Sequence, residues 1–267
     1  IFDKNKNWKI IILRQDRIGD LLISVPFLKT LKYNLKNSVI DIILSGKNQV
    51  AKNCIIDFTD SQFILPKNLK IIPFLFKLRK KHYDICIDLF DNSSATSSFL
   101  IKYIKPKRSI GLEKSNASIY DYVVPLKNKN EYHIIDRIAD LLFPFNINPK
   151  EQYFSLEYKL PVDATMFANN FFYQLIQKDS NKAVLGINIA GSSEAKFWGA
   201  RNNIDFIKEI NKQFPEVVVI LFGTNDYSEI LNEIKTQTNS RIASQTKNFD
   251  EYAAMISLCN FILTPDT

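Results

Sequence analysis

The chain has 267 residues, 46% hydrophobic and 24% charged, a balance that excludes a disordered polymer and suffices for one large core or two modest ones. Domains of roughly 100–150 residues favour two. A net charge of +7 calls for an anionic neighbour, whether nucleic acid, a membrane surface or a phosphorylated substrate, although abundant Lys and Asn also fit a compositional bias without functional meaning.

From the N-terminus, the apolar run at Lys9 to Leu13 predicts a buried strand that gives way at Gly19-Asp20 to a helical pattern from Leu21 to Leu35. A strand that turns through a polar loop into a helix is where open α/β sheets place ligands. Further strands are predicted at Val39–Leu44, Ile85–Leu89, Ser109–Gly111 and Tyr122–Pro125, with helical patterns at Phe74–Lys81, Ser94–Ile104 and Ile134–Phe143. The stretch Asn146 to Pro161, punctuated by Pro149 and Pro161, predicts a boundary between an N-terminal domain of residues 1–160 and a C-terminal one of residues 161–267. Beyond it, Asp163 is an expected N-cap for a helix over Ala164–Gln177. Strands are predicted at Ala183–Ala190, Val217–Phe222, Arg241–Ala243 and Phe261–Thr264, with helices at Ile204–Gln213 and Tyr227–Thr236. Glycine is scarce, and Gly46, Gly191 and Gly223 each follow a predicted strand. Strand alternating with helix means an α/β protein with parallel sheets.

No apolar run approaches the roughly 20 residues that span a bilayer, and no basic-then-apolar segment opens the chain, so a cytoplasmic protein is expected. Cys54, Cys86 and Cys259 are too few and too far apart for a disulfide framework or a metal pair. His82 and His133 lack partners at metal or triad spacing, and Asp88 and Asp91 are too loosely placed to share a divalent cation, so no metal or cofactor is expected.

Several segments carry a resemblance: RQDRIGDLLISVPFLKTLK, the stretch RKKHYDICIDLFDNSSATSSFLIKYIKPKRSIGLE, EYHIIDRIADLLFPFNI, GINIAGSSEAKFWGARNNIDFIKEI, FGTND and SLCNFILTPDT. Together they resemble the bacterial heptosyltransferases, lipopolysaccharide glycosyltransferases of family 9, although Gly199 stands where the family often has proline. The resemblance implies a GT-B fold, two Rossmann-like domains facing a cleft, with the acceptor on the first domain and the nucleotide sugar on the second. The family would continue past Thr267, so the second domain is expected to be incomplete. It implies inverting, metal-independent transfer of a heptose from ADP-heptose to the lipid A-core acceptor, by a monomer peripheral to the inner face of the inner membrane and without nucleic acid.

The residue chemistry agrees with such a displacement, which needs a base for the acceptor proton and a cation for the departing diphosphate. Asp20 is the candidate base, because a carboxylate near a helix N-terminus is held as the anion; capping its own helix is the competing role. Asp16, four residues upstream, is expected to pair with Arg14 or Arg17. Arg17 and Gly19 are candidate acceptor contacts. Ser192, Ser193 and Lys196 form the donor-side group, hydroxyls for phosphate oxygens and an ammonium for the leaving charge, with Trp198 packing behind the loop. Gly223 and Thr224 end a strand where ribose or adenine can lie, and Asp266 and Thr267 match the family's phosphate and ribose region. The basic stretches Lys77–Lys81 and Lys102–Arg108 are either solvated helix ends or contacts for acidic sugars and lipid phosphates. Two alternatives keep the scaffold: a transferase for another nucleotide sugar, or a non-catalytic nucleotide-binding module.

Overall fold

The structure is a computed structural model, and it describes residues 1–151, 154–176, 182–191 and 193–265. The chain divides into two compact units, residues 1–159 and 160–267. Its fold is mixed α/β with a parallel sheet in each unit.

Among the described residues the first unit holds six strands, β1 (Lys9–Arg14), β2 (Val39–Leu44), β3 (Ser61–Ile64), β4 (Ile85–Asp88), β5 (Arg108–Leu112) and β6 (Tyr122–Val124), in the order β3-β2-β1-β4-β5-β6. β1 is central, and Ile10 to Leu13 are completely buried because helices cover both faces, which is why the run is continuous rather than alternating. The order reverses between β1 and β4, so a crevice opens at their C-terminal ends, just where the Gly19-Asp20 turn lies.

The single helix expected over Leu21–Leu35 is two: α1 (Ile18–Leu22) and α2 (Val25–Asn34). Pro26 sits in the first turn of α2, where its missing N–H costs nothing, and it cannot belong to the interior of a longer helix. α3 (Ile71–Arg79) and α4 (Ala95–Ile104) pack through Leu75, Leu78, Leu100 and Ile104 onto one core. The helix expected over Ile134–Phe143 ends early: α5 (Ile134–Ala139) tightens into a 3-10 turn, Asp140–Phe145, that contains Pro144.

The second unit has the sheet β10-β7-β8-β9, built from β7 (Val184–Asn188), β8 (Val218–Phe222), β9 (Ser240–Ile242) and β10 (Phe261–Leu263). α7 (Ala200–Gln213) and α8 (Ser228–Gln237) cover one face through Ile204, Ile207, Leu231 and Ile234. α6 (Val162–Ile176) and α9 (Phe249–Ser257) cover the other through Ala164, Ala168, Phe172 and Met255. Asp163 lies inside the first turn of α6 and so is not its N-cap. All three cysteines are free thiols. Among the described residues no helix is long and apolar enough to cross a membrane.

Candidate functional site

In the first unit, the turn after β1 is organised by Arg14, only 2% exposed at the strand's last position. Its guanidinium donates through Nη1 to the Leu89 carbonyl at 2.9 Å and through Nε to the Asp20 carbonyl at 2.8 Å. The same group pairs with Asp16 at 3.1 Å and approaches the Asp20 carboxylate at 3.8 Å. One buried cation therefore ties β1, the residue after β4 and α1 together. Asp20 itself stands in the first turn of α1, where Oδ2 accepts from the Arg17 N–H at 3.3 Å. Its side chain is 37% exposed, so the carboxylate is held yet open to solvent. Arg17 and Gly19 are exposed on the same turn, and the position of a Cβ on Gly19 has no atom within 4 Å.

Asp16 pairs with Arg14, and burial pushes its carboxyl up to about 7, against the pull of Arg14 and with help from the charges of Asp20 and Asp88. Its Oδ1 is buried without a hydrogen-bond partner. Next to it lies a second buried group that sequence reasoning missed. Asp88, fully buried at the end of β4, accepts from Tyr120 Oη at 2.6 Å and pairs with Lys114 at 3.1 Å. Lys114 also donates to the Phe90 carbonyl at 2.7 Å, closing the loop after β4 as Arg14 closes the loop after β1. Burial and the Asp88 charge raise the Tyr120 phenol, so it stays a hydrogen-bond donor. Asp91 turns elsewhere, to Arg137 at 3.0 Å.

In the second unit, the turn after β7 is shaped by close backbone approach. A Cβ on Gly191 would lie 2.9 Å from Lys196 Cβ and 3.1 Å from its carbonyl carbon, so only glycine lets the chain fold back on itself here. The Lys196 N–H closes that turn on the Ser193 carbonyl at 3.0 Å. Gly199 caps α7 with φ of +98°, a conformation that proline, fixed near −65°, cannot take. Lys196, Trp198, Asn188, Asn203 and Thr264 line a cavity of about 440 Å³ at the C-terminal ends of β7 and β10. Trp198 is 49% exposed and meets Phe206 edge-on at 5.9 Å, so it is a wall of the cavity rather than packing behind the loop.

Ser193 is exposed on the same turn as Lys196. Gly223 and Thr224 follow the neighbouring strand β8 and do not line this cavity; Thr224 accepts the Tyr227 N–H at 2.9 Å through its carbonyl. Ser192, Asp266 and Thr267 lie outside the described residues. His82 is exposed and His133 caps α5, its Nδ1 accepting from the Ile135 N–H at 3.3 Å. Among the described residues no group of three or more His, Cys, Asp or Glu is arranged to hold a metal ion. The missed residues had one signal, the arginine ending an otherwise apolar strand run. Asp88, Lys114 and Tyr120 had none, since folding alone brings them together.

The family model of glycosyltransferase family 9 (heptosyltransferase) matches residues 73–267. No curated protein sequence matches significantly. Among solved structures, the chain is similar to a family 9 glycosyltransferase from Veillonella parvula, at 18% identity and a TM-score of 0.78, covering 96% of this chain and 74% of that one. It is also similar to ADP-heptose lps heptosyltransferase II of E. coli, at 16% identity, TM-score 0.70 and coverage of 97% and 79%. The E. coli heptosyltransferase WaaC with ADP-2-deoxy-2-fluoro heptose follows at 14% identity, TM-score 0.71 and coverage of 97% and 83%. These likenesses give the fold, which is GT-B.

Proposed function

Since the chain belongs to glycosyltransferase family 9, the heptosyltransferases, we propose that it transfers a heptose from ADP-heptose to a sugar hydroxyl of the lipid A-core acceptor, with inversion and without a metal. The observation that carries this reading is the Asp20 carboxylate, fixed by a buried guanidinium at the crevice between β1 and β4 and still open to solvent. Asp20 takes the acceptor's hydroxyl proton as the acceptor oxygen bonds to the anomeric carbon. The bond from that carbon to the diphosphate oxygen breaks on the opposite face, and its electron pair leaves with ADP. Lys196, beside the cavity of the second unit, balances the charge that grows on the diphosphate. Ser192 and Ser193 bind phosphate oxygens, while Gly223, Thr224, Asp266 and Thr267 contact the nucleotide. Arg17 and Gly19 meet the acceptor, the arginine through a phosphate or carboxylate on it. A lipid-linked acceptor brings the enzyme to the inner face of the inner membrane, as a peripheral monomer.

The test is transfer from ADP-heptose to a heptose-deficient lipopolysaccharide acceptor in the presence of a chelator, with the anomeric configuration of the product read by NMR. The expected product has the configuration opposite to the donor. A retained configuration, or turnover that stops with chelation, overturns the reading.

A further inference from the structure

The outer faces of α3 and α4 carry a feature that transfer chemistry does not use. Between Asp60 and Asp84 the chain has no acidic residue and six basic ones, and between Asp91 and Glu113 again no acid and four bases. The fold sets these two segments side by side, since α3 and α4 share one core on the same face of the first sheet. Among the described residues three of the ten cations are in ion pairs, Lys81 with Asp41, Lys107 with Asp84 and Arg108 with Asp121, and Lys77 Nζ lies over the Phe63 ring at 5.4 Å with its side chain still exposed. The same helices, and the 3-10 turn Asn68–Lys70 that leads into α3, expose large apolar side chains. Leu69 is 82% exposed, Ile72 53% and Phe76 61%, and on α4 Phe99 and Tyr103 are 36% and 45% exposed and stack on each other at 4.5 Å.

Solvated helix ends would carry lysine alone. Single exposed apolar residues are ordinary, but Leu69, Ile72 and Phe76 follow one another at helical spacing, and a polyanion-binding face reads charge without needing Leu69 or Phe76 in water. Apolar side chains ringed by lysine on one helical face match a bilayer surface with anionic headgroups, where the apolar groups enter the acyl boundary and the cations meet phosphates. Placement agrees. Lys67 and Lys70 sit at the start of α3, where the helix dipole disfavours cations, so their positions do not serve helix stability. Because all strands are parallel, the N-terminal ends of α3 and α4 lie at the same edge of the sheet as Asp20. A protein lying on a membrane through this face therefore brings that edge to the lipid surface.

We propose that the α3–α4 face, with Leu69, Ile72 and Phe76 as its apolar contacts and Lys67, Lys70, Lys77 and Lys102 as its charges, docks the protein on an anionic lipid bilayer. The proposal deepens the reading of a lipid-linked acceptor and rests on it for its biological meaning, while the docking itself is measured without any sugar.

The experiment is co-sedimentation of the full chain with phosphatidylcholine vesicles, with and without phosphatidylglycerol, at low and high salt. Wild type should bind the anionic vesicles at least roughly tenfold better than the neutral ones, and salt should weaken that binding. The pair Leu69→Ser/Phe76→Ser and the pair Lys70→Gln/Lys77→Gln should each cost roughly tenfold or more, with circular dichroism and ADP affinity unchanged. Both pairs alter exposed positions, and a Phe76→Trp variant gives an independent readout, a blue-shifted emission on anionic vesicles. Equal binding to both vesicle types, or vesicle binding that survives both pairs, overturns the proposal. So does a concentration-dependent dimer that Leu69→Ser/Phe76→Ser dissolves, which assigns the face to a second copy, or duplex DNA binding stronger than vesicle binding. Failure of heptose transfer to a soluble acceptor, with vesicle binding intact, contradicts the catalytic reading and leaves the docking face standing.

Discussion

The turn after β1 is closed by buried charge, whereas the turn after β7 is closed by backbone contact around an open cavity. Arg14 donates to two carbonyls and pairs with the Asp16 and Asp20 carboxylates, and Lys114 holds one carbonyl and one carboxylate in the loop after β4, so these loops are fixed before any ligand arrives. On the other unit, Gly191 lets Lys196 fold back, Trp198 lies half exposed, and the cavity walls are largely apolar. The contrast matches the two tasks proposed for them. A base must be aimed accurately before reaction, which favours a rigid, hydrogen-bonded mount. A nucleotide brings its own charge and needs an open cavity to enter.

Breaking the mount on the first unit should produce the largest effect. Arg14→Met strands the Leu89 carbonyl and removes the partner of Asp16 in a buried site, while the Asp20 carbonyl keeps its hydrogen bond from Ser24 Oγ at 2.7 Å; it is expected to lower unfolding free energy by about 3–5 kcal/mol, read by urea denaturation. A loss under about 1 kcal/mol would mean the guanidinium is not the keystone described here.

Next comes pH. The ordinary carboxyl value for Asp16 is 3.8 and the folded value about 7, so folding favours its protonated form. Its contribution to stability is complete below about 4 and is lost as pH rises through about 7, on the order of 4 kcal/mol in all. The difference in stability between wild type and Asp16→Asn should therefore drift against wild type from pH 4 to 8, and other titrating groups cancel in that difference. A constant offset would show that Asp16 keeps its ordinary affinity for protons.

A pair of glycine variants sharpens the comparison at the smallest scale. Gly191→Ala pushes on the Lys196 backbone and should cost about 1–3 kcal/mol and weaken ADP binding by calorimetry. Gly19→Ala meets open space inside a helix and should be neutral or stabilise by up to about 1 kcal/mol. If that variant still loses transfer activity, the acceptor approaches the backbone there.

Much of this was legible because continuous burial leaves continuous apolar runs. Ile10 to Leu13 and Val218 to Phe222 announce central parallel strands, and Gly19-Asp20 marks a strand-to-helix switch. The edge strand β3 was not legible, since Ser61 to Ile64 are only half buried and its four residues show no run. The 3-10 turns over Asn48–Phe58 and the helix α9 were also missed; α9 is short, and its period is blurred by the neighbouring alanines. Asp20 and Lys196 could be offered as candidates because each lies in the first helical turn soon after a strand. The Arg14–Asp16 pair was half legible from its local spacing, but the buried group of Asp88, Lys114 and Tyr120 was not, because its members meet only through sheet order and loop closure far along the chain. Local pattern carries element type, and long-range pairing carries electrostatics.

The most direct measurement sets Asp20→Asn and Lys196→Met beside wild type for both ADP affinity by calorimetry and turnover of ADP-heptose. Asp20→Asn should bind ADP normally and turn over roughly 10²–10⁴ times more slowly, while Lys196→Met should lose both. Turnover by Asp20→Asn at the wild-type rate would contradict the assignment of the base on which the reading stands.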